Sequence, residues 1–383
     1  MKILFAADVP PDPDSGAAGT ELQTIAGLRR LGHEVDEIWA PDLGRRIKHG
    51  NLHYLLELPF TYRKVIRQKY LEKAYDVVHV NQGHCYLAAK EHKATKRPGV
   101  FVCRSHGLDD HMEKVLKVWR KRLGISNRNL IKTLPGRIID RFLDRHIKLA
   151  ILFADGFIVS SSSDKKFLID FHGLSDERVA CIHQAPAEIF KRTQTGTFTH
   201  ERLKNLLYIA SFHYAKSPHT VAAVVNRLFE RGGGFNFTWV CQKEDHEQAA
   251  RMLSADALNA TRFVGWTTQE ELMEIYNNNG VLLYPPLFDG FGKVFLEAMD
   301  RGLCVIATKT GGMRDIIDDG RNGFLVEFDN PGQIVDRILY LLENSTNGRD
   351  ISQAAVETAA RYSWDRVAEE TVSFYEKLHK IKM

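Results

Sequence analysis

The chain has 383 residues, of which 44% are hydrophobic and 26% are charged, and its formal net charge is +4. This composition is typical of a soluble globular protein with two domains, and so mild a positive charge does not indicate a nucleic-acid partner. No apolar run approaches the roughly 20 residues that a membrane-spanning helix needs, and the five cysteines show no metal-binding spacing. We therefore expect a cytoplasmic protein.

The first half of the chain alternates short apolar strands with helices. Strands are predicted at residues 2–7, 33–40, 75–80, 100–103, 156–160 and 179–183. The first strand leads through a proline-rich turn into a small-residue loop, Gly16-Ala17-Ala18-Gly19, and a helical periodicity begins at Thr20. Because strands that alternate with helices pair in parallel, this half is predicted to be a Rossmann-like α/β domain.

The second half repeats the same plan. Strands are predicted at residues 206–210, 237–241, 262–264, 281–284, 305–308 and 324–326, with helices at 221–231, 269–277 and 333–342. A long helix is predicted over residues 364–378. Polar residues without periodicity accumulate over residues 185–199, which indicates a domain boundary in that segment.

Residues 284–312 are predicted to form a strand end, a glycine loop, a helix, a strand and a second glycine loop. This segment contains two carboxylates of interest. Asp289 opens the first loop, and Glu297 lies inside the helix that follows it. Ligands of open α/β sheets bind at the carboxyl ends of strands, where helix N-termini also attract anions. Carboxylates only accept hydrogen bonds, which suits the hydroxyl pair of a ribose. The alternative is that Asp289 caps a helix and that Glu297 is a solvated helix residue.

The same stretch resembles the signature of the retaining family 4 glycosyltransferases. That signature has two acids separated by seven residues, then a diglycine, then a DG-x-NG-F-L segment. The matching residues are Asp289-Gly290-Phe291-Gly292, Glu297-Ala298-Met299, Gly311-Gly312 and residues 319–325. The resemblance is strong over roughly residues 205–345 and weaker, but colinear, before them. The first acid of the family is a glutamate, and its place is taken here by Asp289.

The resemblance implies the α/β GT-B architecture, with two Rossmann-like domains whose parallel sheets face a central cleft. Residues 1–188 would form the acceptor-side domain, residues 189–363 the donor domain, and the helix at residues 364–383 would pack back on the first domain. The implied reaction is a metal-independent transfer, with retention, from a nucleoside-diphosphate-sugar donor. The implied acceptor is a hydroxyl of a glycan, a lipid or a small molecule, and no cofactor is expected.

Two further side chains lie just beyond predicted strands. Lys216 comes after the first strand of the second half, where an ammonium can hold a diphosphate, and the alternative is a solvated surface lysine. The arginine that the family places nearby is replaced by Ser211. His106 follows the strand at residues 100–103, where it can donate to a sugar hydroxyl or transfer a proton. The alternative is a hydrogen-bonded loop histidine.

The resemblance implies a complete candidate site. Trp266 would lie where the family holds the nucleotide base, although a tryptophan after a strand is more often a packing residue. The predicted catalytic residues are His106, Lys216 and Asp289. The predicted nucleotide-sugar-binding residues are Gly16, Gly19, Lys216, Val264, Trp266, Asp289, Gly290, Phe291, Gly292, Val294 and Glu297.

Two other patterns receive less weight. Asp12-Pro13-Asp14 matches the D-x-D metal signature of the other large glycosyltransferase fold, but the rest of the chain favours GT-B, and we predict no metal site. Residues 113–148 are strongly basic, and we predict an ordinary domain helix over residues 137–149. For residues 114–128 the alternative is peripheral contact with an anionic acceptor or a membrane surface. Nucleic acid is not expected, because stacking aromatics are sparse.

Two rival functions stay open on the sequence alone. One is a nucleotide-sugar epimerase on the same scaffold. The other is a non-catalytic nucleotide-sugar-binding partner subunit. The second rival gains weight from Ser211, from Asp289 and from Gln184-Ala185-Pro186, where the family commonly shows Asn-Gly. The presence of the second acid, the lysine and the histidine favours the enzyme.

Overall fold

A computed structural model describes residues 1–81, 83–124, 134–191 and 198–382, without the side chains of residues 134–138 and 140. The chain forms two compact units. Unit 1 comprises Met1–His183 and Trp364–Met383, and unit 2 comprises Gln184–Ser363. The units part a few residues before the predicted division at 188, and residues 192–197 of the predicted boundary segment lie outside the described residues.

Unit 1 is built on one parallel sheet. Its strands are β1 Lys2–Ala6, β2 Glu34–Ile38, β3 Val77–Asn81, β4 Val100–Ser105, β5 Gly156–Val159 and β6 Val179–Cys181. The six strands lie in the order β2-β1-β3-β4-β5-β6, and all pairs are parallel. The order changes direction between β1 and β3, so the carboxyl ends of these two strands form the topological switch point of the unit.

The helices of unit 1 that precede the crossing into unit 2 are α1 Gly16–Arg30, α2 Ala40–Leu43, α3 Gly50–Leu56, α4 Leu58–Glu72, α5 Tyr86–Ala94, α6 Asp109–Arg122, α7 Leu134–Phe153 and α8 Ser162–His172. The basic segment is therefore shared between α6 and α7. Residues 125–133, with Arg128 and Lys132, lie outside the described residues.

One sequence prediction about α1 is wrong. The small residues Gly16 to Gly19 were predicted to form a loop before a helix that begins at Thr20, but they are the first turn of the helix. The predicted ligand contact of Gly16 and Gly19 stays a prediction. The physical reason is the Ser15 cap, whose side chain accepts a hydrogen bond from the backbone N–H of Ala18 at 3.4 Å. The cap starts the helix at Gly16, four residues before the predicted start at Thr20.

Unit 2 contains a second parallel sheet. Its strands are β7 Asn205–Ile209, β8 Asn236–Val240, β9 Thr261–Val264, β10 Val281–Tyr284, β11 Cys304–Thr308 and β12 Phe324–Val326. The order of the six strands is β12-β11-β10-β7-β8-β9. Both β10 and β11 are buried along their whole length. The order changes direction between β7 and β10, and this places the switch point of unit 2 at their carboxyl ends.

The helices of unit 2 are α9 Glu188–Lys191, α10 Pro218–Glu230, α11 His246–Ala250, α12 Ala255–Asn259, α13 Gln269–Asn278, α14 Lys293–Asp300, α15 Gly311–Ile316, α16 Pro331–Glu343 and α17 Ser345–Ala359. The predicted helices at 221–231, 269–277 and 333–342 correspond to α10, α13 and α16 within a few residues. Among the described parts of the chain, no helix combines the length and the apolar character needed to cross a membrane.

The last helix, α18 (Trp364–Lys382), belongs to unit 1. It lies tightly against α1 at Gly27, where an added Cβ would come within 2.9 Å of the Ala368 Cβ and of the Trp364 carbonyl oxygen. Farther along α18, the Tyr375 hydroxyl lies 2.5 Å from the Nδ1 atom of His79 on β3. Gly27 therefore permits a helix contact that a larger residue would push apart.

Candidate active site

The switch point of unit 2 brings together two predicted site residues that are far apart in sequence. Lys216 follows β7 and Asp289 follows β10, and the Nζ atom of the lysine lies 2.6 Å from Oδ2 of the aspartate. Both side chains are only partly exposed, so this ion pair is better shielded from water than a surface pair. The sequence predicted a diphosphate contact for one residue and a sugar contact for the other. In the structure the two side chains contact each other, and their contacts with a diphosphate and a sugar stay predictions.

The position of Lys216 is fixed by its main chain. Its carbonyl oxygen accepts a hydrogen bond at 2.7 Å from the hydroxyl of Tyr208, a buried residue of β7. The next residue, Ser217, has the left-handed conformation with φ of +58° and precedes α10. In addition, the N–H of Leu287 donates to the carbonyl of Ala215 at 2.7 Å, which ties the loop after β7 to the loop after β10.

Asp289 is held by a second partner. The hydroxyl of Tyr284, the last residue of β10, donates to Oδ2 of Asp289 at 2.6 Å. Burial raises the pKa of Tyr284 well above its usual value, and the neighbouring Asp289 carboxylate raises it further. The phenol therefore stays protonated and can act as the donor. Within the described residues, both bonds to the Asp289 side chain use Oδ2, so Oδ1 is the oxygen that can accept a hydrogen bond from a ligand.

Close packing explains the glycines of the two loops. Gly292 precedes α14 with a φ of +84°, and Gly311 opens α15 with a φ of +53°. A Cβ on Gly311 would lie 2.6 Å from the Asp289 carbonyl oxygen, and one on Gly312 would lie 2.5 Å from the ring of Phe291. The diglycine therefore supports the loop that carries Asp289.

Replacing Gly311 with alanine is expected to destabilise the chain by about 2–4 kcal/mol, because a left-handed backbone and a backbone clash act together. The matched control is Gly320→Ala, since Gly320 also has a positive φ (+79°) but has no atom within 4 Å of an added Cβ. The control should cost about 1–2 kcal/mol. Urea unfolding measures both variants. Equal costs would show that the contact with the Asp289 loop is unimportant.

Glu297 is a buried carboxylate on α14. Its residue is only 4% exposed, which excludes the alternative that it is a solvated helix residue. The hydroxyl of Tyr276 on α13 donates to Oε2 at 3.0 Å, and Nζ of Lys293 lies 3.6 Å from Oε1. Burial, with a further contribution from Glu297, raises the pKa of Tyr276 well above its usual value. A buried carboxylate with one hydrogen-bond donor is suited to accept more from a ligand.

In unit 1, His106 follows β4 and pairs with a residue that the sequence did not single out. Its Nε2 atom lies 2.6 Å from Oε1 of Glu21, a fully buried residue of α1. Burial alone would raise the pKa of Glu21, but the charges of His106 and Arg104 lower it to about 2. Because an ionised carboxylate can only accept, the Nε2 atom of His106 carries the hydrogen. Glu21 lies on the same helical stripe as Ile25 and Leu28, and a carboxylate on an apolar stripe is the signal that could have revealed it.

The remaining predicted residues occupy varied surroundings. Trp266 is 52% exposed, so it is not a core packing residue. Val264 and Val294 are half-buried, whereas Gly290 and Phe291 are buried. The D-x-D residues Asp12 and Asp14 are both exposed, and the N–H of Asp14 donates to Oδ1 of Asp12 at 3.0 Å within a local turn.

Sequence comparisons connect both units to known families. A family described as "Glycosyl transferases group 1" matches residues 190–358, and one described as "Glycosyltransferase Family 4" matches residues 15–185. A D-inositol 3-phosphate glycosyltransferase from Corynebacterium urealyticum is 29% identical over 45% of this chain and 42% of its own length. Spore coat protein SA from Bacillus subtilis is 23% identical over 98% of this chain and 100% of its own length. The chain thus spans less than half of the first relative and all of the second.

Solved structures resemble the chain over its full length. Sucrose-phosphate synthase from Thermosynechococcus elongatus has a TM-score of 0.75 at 16% identity and covers 100% of both chains. Alr3699/HepE from Anabaena, solved in complex with UDP-glucose, has a TM-score of 0.68 at 18% identity and covers 100% of this chain and 99% of its own. At these identities the likeness speaks for the fold alone, and it confirms the prediction of two Rossmann-like domains.

Proposed function

We propose that this chain transfers a sugar from a nucleoside-diphosphate-sugar donor to an acceptor hydroxyl with retention at the anomeric carbon. The chain belongs to the family 4 glycosyltransferases of the GT-B fold. The observation that carries the proposal is the switch point of unit 2. There a lysine and two partly or fully buried carboxylates lie beside a glycine loop at the strand ends where α/β proteins bind ligands.

Solved relatives of the same fold support this class of donor. The Anabaena protein Alr3699/HepE has been solved with UDP and with UDP-glucose, and the catalytic domain of starch synthase IV from Arabidopsis thaliana has been solved with ADP. Each nucleotide carries a ribose and a diphosphate. We therefore propose that the donor of this chain carries the same two groups.

The three site residues of unit 2, which are Lys216, Asp289 and Glu297, have separate proposed roles. Glu297 would accept hydrogen bonds from the ribose hydroxyls, and Asp289 would accept them from the donor sugar. Lys216 would lie against the diphosphate. When the bond between the anomeric carbon and the phosphate oxygen breaks, its electron pair stays on the departing diphosphate, where an ammonium stabilises the new charge. The acceptor oxygen forms the new bond to the anomeric carbon, and its proton passes to an oxygen of the departing diphosphate.

Metal independence is part of the proposal. The positive charge that the departing diphosphate needs would come from Lys216 and from the N-terminus of α14, where main-chain N–H groups and the helix dipole attract anions. A Cβ on Gly292, the residue before α14, would lie 3.5 Å from the carboxyl carbon of Asp289, so the ammonium that Asp289 holds lies near this helix start. Retained turnover in EDTA is the expected result.

Unit 1 is proposed to bind the acceptor. Its His106 is oriented by the buried Glu21 and can present its ring to a sugar hydroxyl. The acceptor class, whether a glycan, a lipid-linked sugar or a small molecule, stays a proposal. So does the peripheral membrane contact through residues 114–128, of which residues 125–128 lie outside the described residues.

Product analysis tests the proposal against its rivals. The purified chain is incubated with UDP-, GDP- and ADP-sugars in EDTA, with and without a panel of glycan and polyol acceptors, and products are identified by mass spectrometry and proton NMR. We expect a glycoside that keeps the anomeric configuration of the donor, formed only with an acceptor. An epimerised donor formed without acceptor would identify an epimerase. Nucleotide binding without any turnover would favour the partner subunit.

A further inference from the structure

Three buried tyrosines contact residues of the candidate donor site. Tyr208 comes from β7, Tyr276 from α13 and Tyr284 from β10, and they are 0%, 0% and 4% exposed. Each hydroxyl donates to a different site residue: to the Lys216 carbonyl at 2.7 Å, to Oε2 of Glu297 at 3.0 Å and to Oδ2 of Asp289 at 2.6 Å. The Tyr276 hydroxyl also has a longer contact, at 3.4 Å, with the Val294 carbonyl oxygen. Three independent elements of unit 2 therefore direct the same chemical group at the three residues of the proposed site.

Packing alone does not require these hydroxyls. All three rings lie in the hydrophobic core of unit 2, where phenylalanine would fill almost the same volume. A buried hydroxyl without a partner costs free energy, so a hydroxyl that is retained in the core needs the bond it makes. Burial raises the pKa of each of the three phenols well above the usual value. They remain donors over the whole working range of pH.

The two carboxylates are held in different ways. On Asp289, the Tyr284 hydroxyl and the Lys216 ammonium both meet Oδ2, and within the described residues Oδ1 accepts no hydrogen bond. On Glu297, the Tyr276 hydroxyl occupies Oε2, and the Lys293 ammonium lies 3.6 Å from Oε1, beyond hydrogen-bonding distance. In each case a tyrosine fixes one oxygen and so determines where the other one points.

We propose that Tyr284 and Tyr276 are positioning residues with separate functions. Tyr284 orients Asp289 toward the donor sugar and therefore controls the transfer step. Tyr276 orients Glu297 toward the ribose and therefore controls nucleotide affinity. This inference rests on the proposed function, because it assigns the two carboxylates to two parts of one nucleotide-sugar donor. Two buried core residues would thus affect the reaction through the carboxylates that they hold.

The test compares Tyr276→Phe with Tyr284→Phe, each of which removes one oxygen atom. Calorimetry with the nucleoside diphosphate measures Kd, and steady-state kinetics with the donor and acceptor measures kcat. For Tyr284→Phe we expect kcat to fall about tenfold while Kd stays within about twofold. For Tyr276→Phe we expect Kd to rise about tenfold while kcat at saturating donor stays within about threefold.

A third variant separates positioning from stability. Tyr62→Phe removes another fully buried hydroxyl, one that contacts the Asn81 carbonyl at 3.5 Å in unit 1. It is expected to change the urea midpoint slightly and neither Kd nor kcat. If Tyr276→Phe and Tyr284→Phe change Kd and kcat by the same factors, in proportion to their loss of stability, the role is structural and the inference is wrong. A wild-type chain that neither binds nucleotide nor transfers sugar would overturn the proposed function and, with it, this inference.

Discussion

Replacing Lys216 with methionine is expected to lower kcat by roughly 10²–10³, the usual effect of removing a group that stabilises transition-state charge. Methionine keeps most of the aliphatic stem and removes the only charge. The effect should fall on kcat more than on KM, because the diphosphate gains charge as it departs. The same change leaves Asp289 without the ammonium that lies 2.6 Å from its Oδ2 atom, so the sugar contact should suffer as well.

The matched control for this variant is Lys204→Met. Lys204 lies just before β7, at the opposite end of the strand from Lys216, and its partner is the exposed Glu201. An exposed pair of this kind contributes little to stability, and the control should keep wild-type turnover. The comparison uses single-turnover and steady-state kinetics on chains with matched thermal unfolding. A Lys216→Met chain that keeps more than about half of the wild-type kcat would exclude this lysine from the leaving-group site.

The second large effect is expected at Glu297. The change to glutamine keeps the shape of the side chain but removes its charge. It also places the amide hydrogens of the glutamine opposite groups that are themselves hydrogen-bond donors. We expect kcat/KM to fall by roughly 10–100-fold, since a hydrogen bond to a charged group contributes about 1.5–3 kcal/mol. The Tyr276 hydroxyl and Lys293 would also lose their anionic partner.

Steady-state kinetics of Glu297→Gln beside Glu274→Gln provides the comparison. Glu274 is an exposed carboxylate on the neighbouring helix α13, and its neutralisation should leave kcat/KM unchanged. If Glu297→Gln folds normally and keeps the wild-type kcat/KM, the ribose role of this carboxylate is wrong.

The sequence predicted the most buried strands, such as β10 and β11, well because their short apolar runs stand out from the polar loops around them. The strand predicted at residues 281–284 coincides with β10, and Pro285 stops it. The beginning of α1 was missed for a local reason. The glycines at 16 and 19 favoured a loop, whereas the Ser15 cap starts the helix before them.

The candidate site was predicted as a set of residues but not as a geometry. Lys216 and Asp289 are 73 residues apart, and their contact depends on the pairing of β7 with β10, which are not consecutive strands. No spacing rule gives that pairing. The partner of His106 was missed because Glu21 lies 85 residues earlier on a helix face that reads as core. The three tyrosines look like ordinary core residues in the sequence. Their hydroxyl contacts could not be predicted, because these contacts exist only after the sheet has formed.

A metal-independent donor site is tested most directly by calorimetric binding of UDP, GDP and ADP in EDTA to the wild-type chain and to Glu297→Ala. We expect one of the three nucleotides to bind in EDTA and Glu297→Ala to weaken its binding by at least about tenfold. This result would also name the base. Binding that disappears in EDTA, binding that is unchanged in Glu297→Ala, or no binding of any of the three nucleotides would contradict a metal-independent donor site at the β7–β10 switch point.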